Sequence, residues 1–321
     1  MKRFAVALIA AMIPMSALVF GDPPDPFHAI DDHGKSKHVL PSPDVVRNPN
    51  EATDAPRSNR YRVYSASYGW GRLRNHGGHE IPLAGFFAVY WNDSVASSAG
   101  TQGNGTLRST VQNFVTNFSG AGVPYSKTNP SADYTIIQQY GTTDAISPTL
   151  VWAGDFVDSQ PTQSSMSDAS IQSYLASLFT AGTVQVNPDT IYGVCFPASM
   201  AITMGSSASC TGFCGYHGNF TYNAQDIKYA VFPYTNCAGC SLPPKNAADM
   251  LTIVTSHEIR ESVTDADGTA WWDLAGYEAD DKCAWHNLYQ MTKGGFWVQP
   301  EYSNGTGNGT YPGSGCVVPN R

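Results

Sequence analysis

The segment TSHEIRESVTD, residues 255–265, contains residue types that bind metal ions and transfer protons. On a helix, residues four positions apart lie on the same face, so His257 and Glu261 point the same way. An imidazole nitrogen and a carboxylate oxygen placed there can bind one zinc ion. Glu258 then lies beside the ion, where hydrolysis needs a general base. The spacing therefore predicts a metal-dependent hydrolase site.

A catalytic zinc ion needs a third protein ligand and one open position. We expect Glu278, which lies 17 residues beyond Glu261, to be that ligand. Asp281 is the alternative: it either orients His257 or is the ligand itself. His217 and His286 are weaker candidates for the same position. The acidic segment after the helix is thus predicted to return to it.

The ligand set affects the choice of metal. One histidine with two carboxylates neutralises the charge of zinc, whereas two histidines with one carboxylate leave it positive. A water bound at the neutral site is less acidic than one at a site with two histidines. The neutral site also favours harder ions more than the two-histidine site does, so calcium and manganese are alternatives to zinc. Catalysis would then depend on further groups, and we expect His217 or Tyr302 to stabilise the oxyanion.

The helix that carries this motif has clear boundaries in the sequence. Asn246 is a good N-cap and Asp249 follows at the third helical position, where its charge suits the helix dipole. Two further amphipathic helices are predicted. One lies within residues 106–122, with one face formed by Leu107, Val111, Phe114, Val115 and Phe118. The other can be capped at its start by Ser167 or Asp168. Strands are predicted at 81–91, 133–140, 149–157, 190–198 and 227–234. Because helices and strands alternate, we predict one α/β or α+β domain over residues 61–321.

The N-terminal region differs in composition from the rest. Residues 1–21 have a basic start and an apolar core broken by Pro14, which indicates a signal peptide and a secreted or periplasmic protein. Residues 22–60 are rich in proline and charge, which predicts a linker or a pro-segment. No later segment is apolar enough to span a membrane. The net charge of −8 and the lack of a basic stripe argue against nucleic acid as a partner.

The chain has seven cysteines. CTGFC and CAGC could together form a zinc site of four thiolates, but in an oxidising compartment we expect them to form two disulfides. A third bridge is predicted between Cys283 and Cys316, with Cys195 as the unpaired buried thiol.

Several of these motifs together resemble those of a known protein family. Residues 81–321 resemble the EXORDIUM (phosphate-induced protein) family and its bacterial relatives. Glu278, Asp281 and Cys283 fall on the family's Glu-x-x-Asp-x-Cys, and residues 212–218 on its Cys-Gly-x-His-Gly. The resemblance implies an exported protein connected with cell surfaces or with plant growth. HEIRESVTD also resembles the zinc helix of thermolysin-type peptidases, with Glu261 in place of the second histidine. A zincin-like, disulfide-stapled domain with a mixed sheet is thus expected.

Three functions fit these features. The first is a secreted zinc metallopeptidase that acts on a protein or peptide substrate, with His257, Glu261 and Glu278 or Asp281 as ligands and Glu258 as general base. The second is an exported surface or cell-wall binding protein on the same scaffold. The third is a glycoside hydrolase with a carboxylate pair, because acidic residues occur among tryptophans.

Overall fold

The computed structural model describes most of the chain after the predicted signal peptide, which lies outside the described residues. The ranges are 25–46, 61–120, 133–142, 144–235, 237–305 and 313–319. They form a mixed α/β structure with a mixed sheet and three disulfides. No described helix has both the length and the apolar character needed to cross a membrane.

Short strands account for most of the regular structure of the described residues. They are β1 (His28–Ile30), β2 (Ser36–Pro41), β3 (Tyr61–Tyr64), β4 (Arg74–Asn75), β5 (Gly85–Tyr90), β6 (Val151–Val157), β7 (Ser165–Ser167), β8 (Thr190–Cys195), β9 (Ala201–Met204), β10 (Ser207–Ala208), β11 (Phe213–Tyr222), β12 (Gln225–Phe232), β13 (Trp271–Trp272), β14 (Tyr289–Gln290), β15 (Trp297–Val298), β16 (Glu301–Ser303) and β17 (Gly315–Pro319).

The α-helices of the described residues are α1 (Pro43–Val46), α2 (Asp93–Ala96), α3 (Leu107–Phe118), α4 (Asp168–Thr180) and α5 (Ala247–Thr264). The predicted helices correspond to α3, α4 and α5. Ser167 caps α4 by accepting from the backbone N–H of Ser170, and Asn246 and Asp249 form a capping box at the start of α5. The buried side chains of α3 include the five apolar residues on its predicted inner face.

The main sheet has the strand order β1-β2-β11-β12-β8-β5-β6. Pairing is antiparallel from β1 to β12 and parallel from β12 to β6. The parallel strand β8 is buried along its length, as expected where both faces of a sheet are covered. The predicted strands around β5, β6, β8 and β12 are therefore confirmed. The first three are shorter than predicted, and β12 is shifted two residues toward the N-terminus.

The structure differs from the prediction of a linker for residues 25–46. This segment contributes β1 and β2 to the main sheet, and Phe27 and Leu40 are fully buried. The hairpin turns through Gly34, whose positive φ of 79° favours glycine, and the Asp31 side chain accepts from two backbone N–H groups of the turn. The high content of proline and charge concealed a strand of only six residues.

The strand predicted at residues 133–140 is wrong, because Asp133–Tyr140 is a 3-10 helix. Its aromatic and β-branched residues favour strands in isolation. The segment is nevertheless enclosed on more than one face, since Tyr134, Thr135, Ile136, Ile137 and Tyr140 are all buried. Tertiary packing of the segment outweighs the local strand preference.

Helix α5 lies at the centre of the molecule. Every residue from Ala248 to Thr264 is buried, so the helix is enclosed on all sides. It packs against β11 and β12 on one side and against β15 on another. Close approach to β11 depends on Gly215, since a Cβ there would lie 2.4 Å from Val254 Cγ1 and 2.9 Å from Glu258 Oε1. The end of α5 is thereby held directly against the sheet.

The three disulfides match the predicted pairing scheme. CTGFC and CAGC are joined by Cys210–Cys237 and Cys214–Cys240, and the third bridge is Cys283–Cys316. The four-thiolate zinc site is thus excluded in this structure. Cys195 is free and buried, and burial raises the pKa of its thiol to about 12.

We predict that the native protein does not react with a thiol reagent at pH 8, because Cys195 is buried and protonated. In denaturant without reductant, one thiol per chain should react. Spectrophotometric thiol titration in both conditions checks this. Three reactive thiols in denaturant would contradict the disulfide scheme.

Candidate metal centre

The last two turns of α5 present His257, Glu258 and Glu261. Each of the three side chains is at most 1% exposed, which is unusual for ionisable groups without charge partners. The capping box at Asn246 fixes where the helix begins, and thus which residues face the sheet at its far end. The helix therefore delivers one imidazole and two carboxylates into the interior.

Strand β11 supplies His217, which was predicted as a candidate. Its Nδ1 lies 3.3 Å from Glu258 Oε2 and 3.8 Å from Glu261 Oε2. Its Nε2 lies 3.7 Å from Glu278 Oε2. The ring thus stands between the helix carboxylates and the downstream acidic turn.

The downstream turn returns to α5 as predicted. Glu261 Oε1 accepts the backbone N–H groups of Asp280 and Asp281, at 3.1 and 2.9 Å. Asp281 Oδ2 accepts the N–H of Glu278 at 3.0 Å. Asp281 begins the 3-10 helix Asp281–Cys283, and the Cys283–Cys316 disulfide anchors that helix to β17. These contacts hold Glu278 and Asp281 in fixed orientations.

His38 of β2 completes the arrangement, and the sequence analysis missed it. Its Nδ1 lies 3.0 Å from Glu278 Oε2 and 3.5 Å from Asp281 Oδ2. The carbonyl of Pro41 in the same strand accepts from Trp285 Nε1 at 2.8 Å, which ties β2 to the acidic turn region. The only signal in the sequence was a histidine at the start of the short apolar run at residues 39–41.

We call these seven residues the buried cluster. They are three histidines and four carboxylates: His38, His217, His257, Glu258, Glu261, Glu278 and Asp281.

Three sets of ligand atoms converge within the buried cluster: His257, Glu261 and Asp281; His38, Glu278 and Asp281; and His217, Glu258 and Glu261. In the first set, His257 Nε2 lies 2.8 Å from Glu261 Oε2 and 3.7 Å from Asp281 Oδ1. Tetrahedral zinc ligands at their usual bond lengths lie about 3.3–3.6 Å from one another. The distances between ligand atoms of the cluster extend from below that range to above it. Of the two predicted third ligands, Asp281 shares a set with His257, whereas Glu278 faces His38.

Many polar atoms of the buried cluster have no hydrogen-bond partner. They include His257 Nε2, Glu261 Oε2, Asp281 Oδ1 and both carboxylate oxygens of Glu278. These nitrogens and oxygens lie close to each other, but their angles do not suit hydrogen bonds. They point instead toward shared positions in the space between them. Buried polar atoms left unpaired are costly, and a bound cation satisfies several at once. The donor set therefore fits a divalent metal ion.

Burial determines the protonation of the cluster. It raises the pKa of Glu258, Glu261 and Glu278 well above the usual value, although charged histidines nearby act in the opposite direction. Burial also lowers the pKa of His217, and the charges of His38 and His257 add to that effect. For His38, burial is outweighed by Glu278 and Asp281, which raise its pKa well above the usual value. Without a metal ion, protons must supply the compensating charge.

Arg260 does not compensate this charge, because it faces a separate buried group. Its guanidinium donates to Asp280 Oδ2 and to the carbonyl of Gln299, and lies 3.8 Å from Glu301 Oε2. This pair of carboxylates is enclosed around an arginine rather than placed across a cleft, so it does not favour glycoside hydrolysis. Among the described residues, the ion pairs of the cluster carboxylates are all with histidines.

Two predicted candidates lie outside the cluster. The hydroxyl of Tyr302 donates to the carbonyl of Gly71 at 3.1 Å and lies 2.7 Å from Ser314 Oγ, contacts that give it a structural role. His286 Nε2 lies 3.0 Å from the hydroxyl of Tyr68. Neither residue belongs to any of the three ligand sets of the buried cluster. The structure thus does not bring Tyr302 to the position expected for an oxyanion donor.

No protein-family model, no curated protein and no solved structure matches the chain. The EXORDIUM resemblance therefore stays a prediction that depends on the motifs described above. What the site can do has to be argued from its geometry.

We predict that zinc stabilises the metal-free protein. At 100 times Kd the gain is about 2.7 kcal/mol, because zinc binds the folded state alone. His257→Ala should abolish most of this gain. Calorimetric scans of chelator-treated protein with and without zinc chloride measure it. His79→Ala is the matched control, since that side chain is 85% exposed. Equal stabilisation of His257→Ala and wild type would contradict the site.

Proposed function

We propose that the chain is an exported zinc-dependent hydrolase that cleaves peptide bonds on a zincin-like domain. The observation that carries the proposal is the convergence of His257, Glu261 and Asp281 beside Glu258 at the end of a buried helix. His257, Glu261 and Asp281 would hold the zinc ion. Bound zinc supplies Lewis-acid polarisation of a carbonyl and lowers the pKa of a water molecule.

Glu258 is the general base in this proposal. Burial raises the pKa of its carboxyl well above the usual value, the direction that makes the carboxylate a stronger base. Its Oε2 contacts His217 Nδ1, whereas its Oε1 has no hydrogen-bond partner. His217 thus orients the carboxylate and leaves one oxygen to take a proton from the attacking water. His217 acts here as a positioning residue instead of as the expected oxyanion donor.

The N-terminal hairpin controls access under this proposal. His38 is the most exposed member of the buried cluster, with 14% of its side chain accessible, against 5% or less for the other six. A substrate carbonyl would therefore approach from the side of β2. The hairpin stays part of the domain under this proposal, because β2 pairs with β11 in the main sheet.

A second candidate function is favoured by the same burial. His257, Glu258 and Glu261 are at most 1% exposed, as in a structural metal site closed to substrate. The chain would then be an exported binding protein whose cluster holds a stabilising ion. This candidate predicts stabilisation by zinc without hydrolysis.

We predict that Glu258→Gln lowers the rate of hydrolysis at least about 100-fold, because loss of a general base typically costs 10²–10⁴-fold. Zinc content should stay unchanged, since Glu258 is not a ligand in the proposed set. The measurement is cleavage of a fluorescently labelled unfolded protein, with bound zinc quantified in the same samples.

Glu80→Gln is the matched control, because Glu80 contacts Thr142 and Trp271 outside the cluster. It should cleave at the wild-type rate. Absence of cleavage by zinc-loaded wild type would favour the structural-metal candidate. Cleavage by Glu258→Gln within a few-fold of wild type would refute the role of Glu258.

A further inference from the structure

Beyond the proposed zinc site, a second group of ligand atoms lies within the buried cluster. His38 Nδ1 is 3.0 Å from Glu278 Oε2 and 3.5 Å from Asp281 Oδ2. This group does not contain His257, Glu258 or Glu261. It joins the N-terminal hairpin to the C-terminal acidic turn: His38 and Glu278 are absent from the first site, and Asp281 is common to both.

Glu278 provides the observation that points to a ligand. It is fully buried, and neither of its carboxylate oxygens makes a hydrogen bond of good geometry, although His38 and the buried carboxyl of Asp265 lie beside it. Its backbone N–H is engaged by Asp281 Oδ2, which fixes the residue on the turn. A buried carboxylate with two unpaired oxygens, aimed at an imidazole nitrogen and a second carboxylate, is the arrangement that a cation completes.

Asp281 connects the two groups through different oxygens. Its Oδ1 lies 3.7 Å from His257 Nε2, and its Oδ2 lies 3.5 Å from His38 Nδ1. A carboxylate whose two oxygens serve two ions brings those ions to about 3.5–4 Å from each other, the separation in two-metal hydrolytic sites.

The charge of the cluster also accommodates two cations. It contains four carboxylates, and their ion pairs within the described part of the chain are with histidines only. One divalent ion leaves two of the four negative charges uncompensated in a buried volume, where such charge is strongly disfavoured. Two divalent ions with neutral histidines balance all four, and the neighbouring Asp265 carboxyl, whose pKa is raised by burial, then carries a proton.

We propose that His38, Glu278 and Asp281 form a second divalent-metal site, and that Asp281 bridges it to the site of His257 and Glu261. One imidazole with two carboxylates suits zinc or manganese. The inference deepens the proposed function and rests on it: the hydrolase would have a two-metal centre, one of whose ligands comes from the N-terminal hairpin.

The test is metal stoichiometry of the full mature chain. Metal-free protein is loaded with zinc chloride, dialysed against metal-free buffer and analysed by mass spectrometry for zinc per chain. We expect two zinc ions in wild type and one in His38→Ala. His28→Ala is the matched control, because the His28 ring packs edge-on against His38 in the same hairpin while its Nδ1 pairs with Asp25. It should keep two.

If His38→Ala loses both ions, its zinc content cannot identify the second site, and a second measurement is needed. X-ray absorption of zinc-loaded wild type should show zinc–zinc scattering at about 3.5–4 Å. That scattering should be absent in Glu278→Gln, which keeps the size of the side chain. A single zinc ion in wild type, two ions in His38→Ala, or no zinc–zinc scattering in wild type would each overturn the second site.

These outcomes separate the two proposals. One zinc ion with Glu258-dependent hydrolysis refutes only the second site. Two zinc ions without hydrolysis refute only the hydrolase. Absence of bound zinc refutes both, and His38 then serves as a salt-bridge partner of Glu278 and Asp281.

Discussion

The buried negative charge of the cluster is the constraint on which the rest of the structure depends. Four carboxylates and three histidines converge between α5, β2, β11 and the acidic turn, almost entirely out of solvent. Burying several unpaired charges would cost far more than the net stability of a folded domain. The arrangement is therefore stable only if protons or cations neutralise it, and the unpaired, converging atoms favour cations.

The rest of the fold holds the parts of this cluster together. Helix α5 is buried on all sides and approaches β11 at Gly215, where a side chain would collide with Glu258. The backbone of the acidic turn is fixed by Glu261 and by the Cys283–Cys316 disulfide. Segments from both ends of the described chain thus meet at one site, which makes the cluster sensitive to folding of the whole domain.

Much of this could be predicted from the sequence, because the signals were local. Helix α5 with its cap, the disulfide scheme and the return of Glu278 and Asp281 follow from spacing and residue type. His38 could not be predicted, since its role comes from long-range pairing of a short strand within a polar segment. The 3-10 helix at 133–140 was missed because tertiary packing of the segment outweighed strand preference. Tyr302 was misplaced because sequence proximity to the acidic turn does not fix where its hydroxyl points.

Anomalous diffraction from zinc-soaked crystals tests the central claim, that the cluster is a metal centre, most directly. Data recorded on both sides of the zinc absorption edge identify the ion without reference to activity. We predict a peak inside the cluster, within about 2.0–2.2 Å of His257 Nε2 and of carboxylate oxygens of Glu261 and Asp281. Zinc peaks found only on the surface, with none among these three residues, would contradict the claim and would mean that protons neutralise the buried carboxylates.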